Sequence, residues 1–316
     1  MFIKKREIWE GRDAIIVSGL GDYSLRDTLE CGQAFRYELI ESREGWTEYM
    51  TVIGEELIFV GQRQAGELIF FDITDEVFDS AVVRYFALDV DYGKIREDVT
   101  RRCKSEWLER AAHSARGVVI LKQDEWEALF SFIVSQNNNI PRIRKIIREL
   151  SAAYGVNICL QKSLKKCPLG KISATPCEDL CKNCGSCYSF PKAADVAADP
   201  DKMLPSKPGF RYKYLLCAAE RVASGETDLS CIAEKKSYAY TVEELKKING
   251  VGDKVASCAA LFGFGNLEAF PIDVWMKRAI DTYFDGHLDP AELGEYAGVA
   301  QQYIFHYIRN LEKEEN

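Results

Sequence analysis

The order of hydrophobic and polar residues divides the chain into two parts. In residues 1–110, short runs alternate or are rich in β-branched residues, and turns rich in Gly, Asp and Glu separate them. The clearest runs are DAIIVSG (13–19), WTEYMTVIG (46–54), ELIFVGQ (56–62) and ELIFFDI (67–73). Because alternation with a period of two is typical of half-buried strands, we predict a small antiparallel sheet with one or two helices.

From about residue 113 onward, hydrophobic residues recur at helical spacing instead. The segments with this spacing are DEWEALFSFIVSQ (124–136), IPRIRKIIRELSAAYG (140–155), KYLLCAAERVASG (213–225), TVEELKKI (241–248), DKVASCAALFGFG (253–265), DVWMKRAIDTYF (273–284) and AELGEYAGVAQQYIFHYIRNL (291–311). Asp124, Thr241 and Asp273 stand where helix N-caps are expected.

These patterns predict an α+β protein. The N-terminal antiparallel β-sheet domain would occupy residues 1–112 and the helical domain residues 113–316. A Cys-rich, turn-rich insert at about 159–188 interrupts the helical part.

The composition fits globular domains in the cytosol. The chain has 316 residues, of which 47% are hydrophobic, and its net charge is −8. No apolar run reaches the 18 or so residues of a membrane span. The N-terminus, MFIKKREIWEGRDAIIV, mixes charges with apolar residues, unlike a signal peptide. We expect a cytoplasmic monomer, nucleoid-associated if bacterial, with no membrane partner.

Basic residues are concentrated in two stretches of this acidic chain. Residues 140–166 contain seven Lys or Arg and one Glu. The segment KMLPSKPGFRYK (202–213) is basic and contains no acidic residue. Local basic strips can hold a phosphate backbone despite an acidic average. Solvated helix faces explain the same charges equally well.

The segment INGVGDK places two glycines between two predicted helices. Gly250 and Gly252 permit positive φ and close approach of another backbone. The free N–H groups at the start of the second helix would then form an anion site without sequence preference, which suits a DNA phosphate. A glycine pair that serves only to turn the chain is the open alternative.

Lys254 follows this corner, and Asp273 comes nineteen residues later after Pro-Ile. A neutral amine can attack a sugar C1′ and expel the base, leaving a Schiff base. A carboxylate can accept a proton or stabilise positive charge on the sugar. A solvated lysine and a simple N-cap are the alternatives for these two residues.

The order G-V-G-D-K, about twenty residues, then P-I-D-V resembles the signature of the helix-hairpin-helix DNA glycosylase superfamily. A lysine after the hairpin is similar to its bifunctional members. Four further stretches, quoted below, resemble the 8-oxoguanine DNA glycosylases and extend the likeness over residues 29–305. The resemblance implies a β-rich, TATA-binding-protein-like domain followed by a helical glycosylase domain, with Lys254 and Asp273 as catalytic residues.

Two of these stretches would face the DNA strand opposite the lesion. FSFIVSQNNNIPRIRKII (130–147) resembles the family's Asn-triplet segment. This implies that Asn137 fills the hole left by the extruded base and that Arg142 contacts the orphaned cytosine. KPGFRYKYL resembles the second cytosine-reading loop, which implies that Phe210 wedges into the stack and Arg211 completes the cytosine contact.

The other two stretches would form the base pocket. LECGQAFRY (29–37) resembles the family's N-terminal strand, which implies that the Gly32 carbonyl accepts the N7 proton present only in the oxidised base. YAGVAQQYIFHYIRN resembles its terminal helix. This implies that Gln301 reads the Watson–Crick edge, and that Phe305 and Cys258 lie on the two faces of the base.

At two positions the chain departs from eukaryotic members. Those place a histidine two residues after the catalytic aspartate and an aspartate on the last helix. Here Trp275 and Ile308 stand in these places, so the polarity and the pH profile of the pocket are expected to differ.

Six of the eleven cysteines lie between residues 159 and 187. Cys177, Cys181, Cys184 and Cys187 follow C-x3-C-x2-C-x2-C spacing, which can hold Zn²⁺ tetrahedrally or ligate an iron–sulfur cluster. We predict a structural zinc at these four, with an iron–sulfur cluster second, Cys167 as an alternate ligand and reduced thiols as the open alternative. No cofactor is expected to be required for catalysis.

The leading hypothesis is a bifunctional DNA repair enzyme that excises 8-oxoguanine opposite cytosine from double-stranded DNA through a Lys254 Schiff base, then cleaves the site by β-elimination. One alternative is a related glycosylase for another damaged base, such as an alkylated purine or an oxidised pyrimidine. The other is a non-catalytic hairpin module that binds DNA, against which the pair Lys254 and Asp273 argues.

Overall fold

A computed structural model describes residues 2–103, 105–162 and 185–315. It has a six-stranded antiparallel sheet in the first quarter of the chain, followed by helices. This confirms the predicted α+β fold with a β-rich N-terminal part. Within the described ranges, no helix is long and apolar enough to span a bilayer.

The sheet has the strand order β1-β2-β6-β5-β4-β3. Its strands are β1 (Ile3–Trp9), β2 (Arg12–Ser18), β3 (Tyr37–Arg43), β4 (Trp46–Ile53), β5 (Glu56–Gln62) and β6 (Glu67–Phe71). The four predicted strands are confirmed. The prediction missed β1 and β3, because both are edge strands in which charged residues break the alternation of hydrophobic positions.

Both faces of the sheet are covered. Alternate residues of the inner face, such as Ile15, Tyr49 and Phe70, join the main core beneath the helices. On the outer face, Met50 of β4 lies in a small apolar cluster with Cys187. Strand β4 is therefore buried along nearly all its length, and the segments flanking the Cys-rich insert cover this end of the sheet.

A π-helix at Phe78–Val82 and a 3₁₀-helix at Pro200–Ser206 are left unnumbered, and only α-helices of at least four residues are numbered, in chain order. They are α1 (Leu25–Glu30), α2 (Tyr92–Arg102), α3 (Glu106–Ser114), α4 (Glu125–Val134), α5 (Ile140–Tyr154), α6 (Ile158–Gln161), α7 (Ala193–Ala198), α8 (Tyr212–Ala223), α9 (Leu229–Glu234), α10 (Tyr238–Lys246), α11 (Asp253–Phe262), α12 (Val274–Tyr283), α13 (Pro290–Leu293) and α14 (Ala297–Glu315). The predicted final helix is interrupted at Gly294, whose φ is +71°.

Two of the three predicted N-caps are confirmed. Asp124 caps α4 and Asp273 caps α12, each through its side-chain oxygen. The prediction for Thr241 is wrong. Helix α10 begins at Tyr238 with Ser237 as its cap, and Thr241 lies buried inside the helix. The polar residue nearest the hydrophobic run is therefore not the N-cap of this helix.

The main core is continuous across residue 112, since residues on both sides of it contribute to the same apolar cluster. The domain boundary near 112 stays a prediction. Helix α14 packs against α2, which precedes the boundary, and against α3, which spans it, so the end of the chain returns to its first half.

Gln33 joins the segment after α1 to the chain before α4. Its Nε2 donates to the carbonyls of Thr28 at 2.8 Å and Val119 at 2.7 Å, and its Oε1 accepts the Leu121 N–H at 2.8 Å. The side chain is fully buried. Because buried polar groups are costly when unpaired, these bonds fix the backbone that leads into Gly32.

The metal prediction for the insert stays a prediction. Cys177, Cys181 and Cys184 lie outside the described residues. Cys187 is buried, with its Sγ 3.9 Å from Met50 Sδ. Over residues 2–103, 105–162 and 185–315, no group of three or more His, Cys, Asp or Glu side chains is arranged to hold a metal ion.

The first test concerns Gln33. Gln33→Leu removes the partners of several buried backbone groups, so we expect the free energy of unfolding to fall by about 3 kcal/mol. Urea denaturation measures it. The control is Gln64→Leu, at an exposed position of the same domain, which should leave the free energy within about 0.5 kcal/mol. Equal losses in the two variants would contradict the role given to Gln33.

Candidate active site

The structure brings six predicted site residues to one cavity. Its walls come from five separate parts of the chain: the segment after α1, helix α4, helix α11, the segment that leads into α12 and helix α14. The lining residues are Gly32, Phe132, Lys254, Cys258, Phe262, Pro271, Asp273, Gln301, Gln302 and Phe305. The predicted catalytic pair and the predicted base-binding residues thus share one space.

Lys254 lies in the first turn of α11, directly after the glycine corner. Its Nζ donates to Ser135 Oγ at 3.0 Å and lies 5.3 Å from the centre of the Phe132 ring. Both partners belong to α4 or its C-cap. They hold the amine at the cavity wall, partly shielded from water.

Asp273 serves as an N-cap and also lines the cavity. Its Oδ1 accepts the Met276 N–H at 2.9 Å. The described residues supply no hydrogen bond to its Oδ2, so one carboxylate oxygen is available to charge that develops in the cavity. Asp273 therefore caps α12 and lines the cavity at the same time.

Gln301 and Phe305 lie one turn apart on α14. Gln301 is 5% exposed, and its Oε1 is buried without a hydrogen-bond partner among the described residues. An unpaired buried acceptor costs about 1–3 kcal/mol unless a ligand supplies a donor. A ligand that placed a hydrogen-bond donor against Gln301 Oε1 would therefore be stabilised in this cavity.

Gly32 is held against Phe305. Its φ is +88°, and a Cβ there would lie 3.1 Å from Ile140 Cδ1 and 3.6 Å from Phe305 Cε1. Only glycine accommodates both the backbone and the contact. Gln302 Nε2 donates to the neighbouring Cys31 carbonyl at 3.3 Å, which ties this segment to α14.

Cys258 is buried one turn beyond Lys254. Burial is the main cause that raises the pKa of its thiol, the nearby Asp273 carboxylate also raises it, and Lys254 opposes them. The side chain is therefore a neutral, polarisable thiol at neutral pH, suited to packing on a flat ring rather than to nucleophilic attack.

The two glycines of the hairpin have different structural roles. Gly250 has φ +87°, and a Cβ there would lie 2.1 Å from the Tyr214 ring. Gly252, the N-cap of α11, has an ordinary φ of −95° and nothing within 4 Å of its Cβ position. Gly250 is needed by the fold, whereas Gly252 keeps the entrance to the helix N-terminus open.

The turn between α4 and α5 carries the Asn triplet. Asn137 is exposed with φ +46°, and Asn139 caps α5 by accepting the Arg142 N–H at 3.0 Å. Gln136 Nε2 donates to the Gly250 carbonyl at 3.0 Å. The Asn turn and the hairpin are thus directly connected.

The two predicted cytosine-reading arginines differ in accessibility. Arg142 is exposed, and no carboxylate in the described part of the chain pairs with it. Arg211 is 3% exposed and donates to the Gln136 carbonyl from Nε at 2.7 Å and to the Asn137 carbonyl at 2.8 Å. Burial, and secondly the Arg142 charge, lower the pKa of Arg211.

Phe210, next to Arg211, is 49% exposed. Its ring meets Tyr214 edge-on at 6.2 Å, and the Arg211 guanidinium lies 4.5 Å from its centre. A half-exposed ring held from behind in this way can insert into a base stack.

Sequence reasoning missed Ser135, Phe132 and Gln302, which orient the lysine and the Gly32 segment. Their residue types carry no signal, because a serine at a helix end and a phenylalanine in an apolar run are common. The departures from eukaryotic members pack as apolar residues: Trp275 against the main core, and Ile308 at 3% exposure.

Comparison with known proteins adds independent support. The protein-family model of the 8-oxoguanine DNA glycosylase N-terminal domain matches residues 15–129 of this chain. The structure of MBOgg1 in complex with a low-affinity DNA ligand is 33% identical, with a TM-score of 0.79 over 98% of this chain and 99% of that one.

Two further relatives come from named organisms. The 8-oxoguanine glycosylase/lyase of Clostridium acetobutylicum, in complex with double-stranded DNA containing cytosine opposite 8-oxoG, is 28% identical, with a TM-score of 0.78 over 99% of this chain and 98% of that one. The N-glycosylase/DNA lyase of Saccharomyces cerevisiae is 26% identical over 80% of this chain, which spans 66%, just under two thirds, of the yeast protein.

A lysine and an aspartate in one cavity beside a glycine hairpin, on this fold, define a DNA glycosylase with lyase activity, an enzyme class of base excision repair. The chain belongs to the 8-oxoguanine DNA glycosylase family.

The hairpin gives a matched pair of variants. Gly250→Ala places a methyl group in the Tyr214 ring and a strained φ on alanine, so the free energy of unfolding should fall by about 2–4 kcal/mol. Gly252→Ala should lower it by no more than about 1 kcal/mol, because only the cap preference changes. Denaturant titration of both variants checks this. A larger loss for Gly252→Ala would contradict the assignment of Gly250 as the position that the fold requires.

Proposed function

We propose that this enzyme removes 8-oxoguanine opposite cytosine from double-stranded DNA and then cleaves the strand at the emptied site. The observation that carries the proposal is the shared cavity of Lys254, Asp273 and Gln301, with the buried Gln301 Oε1 lacking a partner among the described residues. The Clostridium relative, crystallised with cytosine opposite the lesion, supports the choice of substrate.

Base recognition follows from the cavity walls. Gln301 Oε1 would accept the N1 and N2 protons of the extruded purine, since both lie on its Watson–Crick edge. Phe305 and Cys258 would lie on opposite faces of the ring. The Gly32 carbonyl would accept the N7 proton, which guanine lacks, so this contact would distinguish the lesion from the normal base.

Lys254 would supply the nucleophile. In the neutral form its Nζ bonds to the sugar C1′ while the C1′–N9 bond breaks, and the base leaves with that electron pair and takes up a proton. Asp273 would stabilise the positive charge that develops on the sugar. Nζ then gives up one proton, and the C1′–O4′ bond breaks with its electron pair going to O4′, which takes up a proton, so that an iminium forms between Nζ and C1′. Removal of a C2′ proton then breaks the C3′–O bond, which is β-elimination.

Arg142 would read the orphaned cytosine. It is exposed, carries no ion pair in the described chain and follows the Asn turn. Arg211 would join this contact only after exchanging part of its present bonding to the Gln136 and Asn137 carbonyls. Asn137 would fill the space left by the flipped base, and the exposed Phe210 ring would wedge beside it.

The decisive variant is Lys254→Gln. It keeps a polar side chain that can bond Ser135 but has no nucleophile, so borohydride trapping and base release should disappear while binding to lesion DNA persists. The measurement is a trapping gel with 8-oxoguanine opposite each of the four bases. Lys94→Gln, on helix α2 and remote from the cavity, is the control and should trap as well as the wild type. Trapping by the Lys254 variant at the wild-type level would end the proposal.

Arg142→Ala tests the reading of the partner strand. If its contact to cytosine is bidentate, the preference for cytosine should fall by the equivalent of about 1–3 kcal/mol, measured as the ratio of single-turnover excision rates. Lys145→Ala removes an exposed positive charge from the same helix and should leave that ratio unchanged, although total binding weakens. Equal ratios in Arg142→Ala and the wild type would contradict the assignment.

A further inference from the structure

We propose that Glu38 is a positioning residue for the choice of the opposite base. It would act through helix α5, whose first turn carries Arg142. The inference rests on the proposed function, because it requires that Arg142 reads cytosine. It assigns a task to a carboxylate that lies outside the cavity and touches none of its catalytic residues.

Glu38 lies on β3 and binds three groups. Its Oε1 accepts from Arg148 at 2.7 Å and from Ser186 Oγ at 2.8 Å, and its Oε2 accepts from Arg144 at 3.3 Å. Arg144 and Arg148 are one turn apart on α5, so the single carboxylate spans a full helical turn. Ser186 lies near the C-terminal end of the Cys-rich insert.

Arg144 adds two contacts to the same strand. Its guanidinium donates to the Tyr37 carbonyl and lies 4.1 Å from the centre of the Tyr37 ring. The strand and the helix are thus held at two successive residues, Tyr37 and Glu38. Slippage of α5 along its axis would break both contacts together.

The end of the Cys-rich insert also packs against α5, at Arg148. Gly185 has φ +63°, and a Cβ there would lie 2.4 Å from Arg148 Cγ and 2.5 Å from the Arg148 carbonyl oxygen. The backbone of this segment therefore rests directly on α5. Helix α5 thus contacts both β3 and residues 185–186.

The arrangement is a poor way to gain stability. One carboxylate faces two guanidinium groups, and Arg144 Nε and Ser151 Oγ are buried without partners among the described residues. These ion pairs are only partly buried, since the side chains of Glu38, Arg144 and Arg148 are 23%, 22% and 40% exposed, and ion pairs in such positions contribute little to stability. These polar groups are therefore better explained by their effect on the position of α5 relative to β3 than by a gain in the free energy of folding.

The geometry that they fix belongs to the reading of the partner strand. Helix α5 begins directly after the Asn turn, and Arg142 precedes Arg144 by two residues. Lys254 and Asp273 are on α11 and α12 instead. A shift of about 1 Å in a positioned group can change rates by orders of magnitude. Loss of Glu38 should therefore affect the choice of the opposite base more than the chemistry.

The test uses Glu38→Gln, which keeps the shape of the side chain and removes its charge. Single-turnover excision rates are measured for 8-oxoguanine opposite each of the four bases. We expect the preference for cytosine to fall about tenfold, with borohydride trapping opposite cytosine retained. Glu38→Asp, which keeps the charge, should recover at least half of the lost preference on a logarithmic scale.

Glu48→Gln is the matched control. Glu48 lies on β4 of the same sheet, is nearly buried and accepts from Arg12 at 2.6 Å, remote from α5. It should lose stability to a similar extent and keep the wild-type preference. If Glu38→Gln does not fold, Arg144→Lys replaces it, since lysine keeps the charge but loses the planar contact with Tyr37.

A double-mutant cycle separates positioning from general damage. In an Arg142→Ala background, Glu38→Gln should change the preference by less than twofold, because its effect passes through Arg142. Independent effects of the two substitutions, or an unchanged preference in Glu38→Gln, would overturn the inference. A wild-type enzyme that excises the lesion from none of the four pairings would instead defeat the proposed function itself.

Discussion

The contact between the last helix and the segment after α1 makes the cavity, and the rest of the site depends on it. Gln302 donates to the Cys31 carbonyl, and His306 lies 3.5 Å from Asp27, so α14 is attached at two residues that shortly precede Gly32. A hydrogen bond to His306 is the largest cause that lowers the pKa of Asp27. Polar contacts between an early segment of the chain and its last helix thus hold two walls of the cavity together.

A second junction lies at Gln136. Its carbonyl accepts from Arg211 and its side chain donates to the Gly250 carbonyl, so the Asn turn, the segment of Phe210 and Arg211, and the hairpin meet at one residue. Each of these segments is a loop, and loops alone are poorly fixed. Their mutual hydrogen bonds give three irregular segments one shared geometry, which is what binding to a duplex of fixed shape requires.

Much of the site was readable because its chemistry constrains local sequence. Gly250, Lys254 and Asp273 are close along the chain, and their spacing is tied to a hairpin and two helix starts. The edge strands β1 and β3 were missed because edges tolerate charge, and Thr241 was misassigned because burial of the helix face does not mark its first residue. The positions of Ser135 and Gln302 had no local signal at all.

By itself, the sequence determined the fold class, the helical and central strand segments and the candidate lysine–aspartate pair, since these follow from periodicity and short-range spacing. Other features are visible only in the tertiary structure: Gly32 and Phe305 line one cavity, Arg211 is buried on the Asn turn while Arg142 has no ion pair within the described chain, and Glu38 binds α5. These depend on contacts between residues more than seventy positions apart, and the energy of such contacts is not encoded in any local pattern.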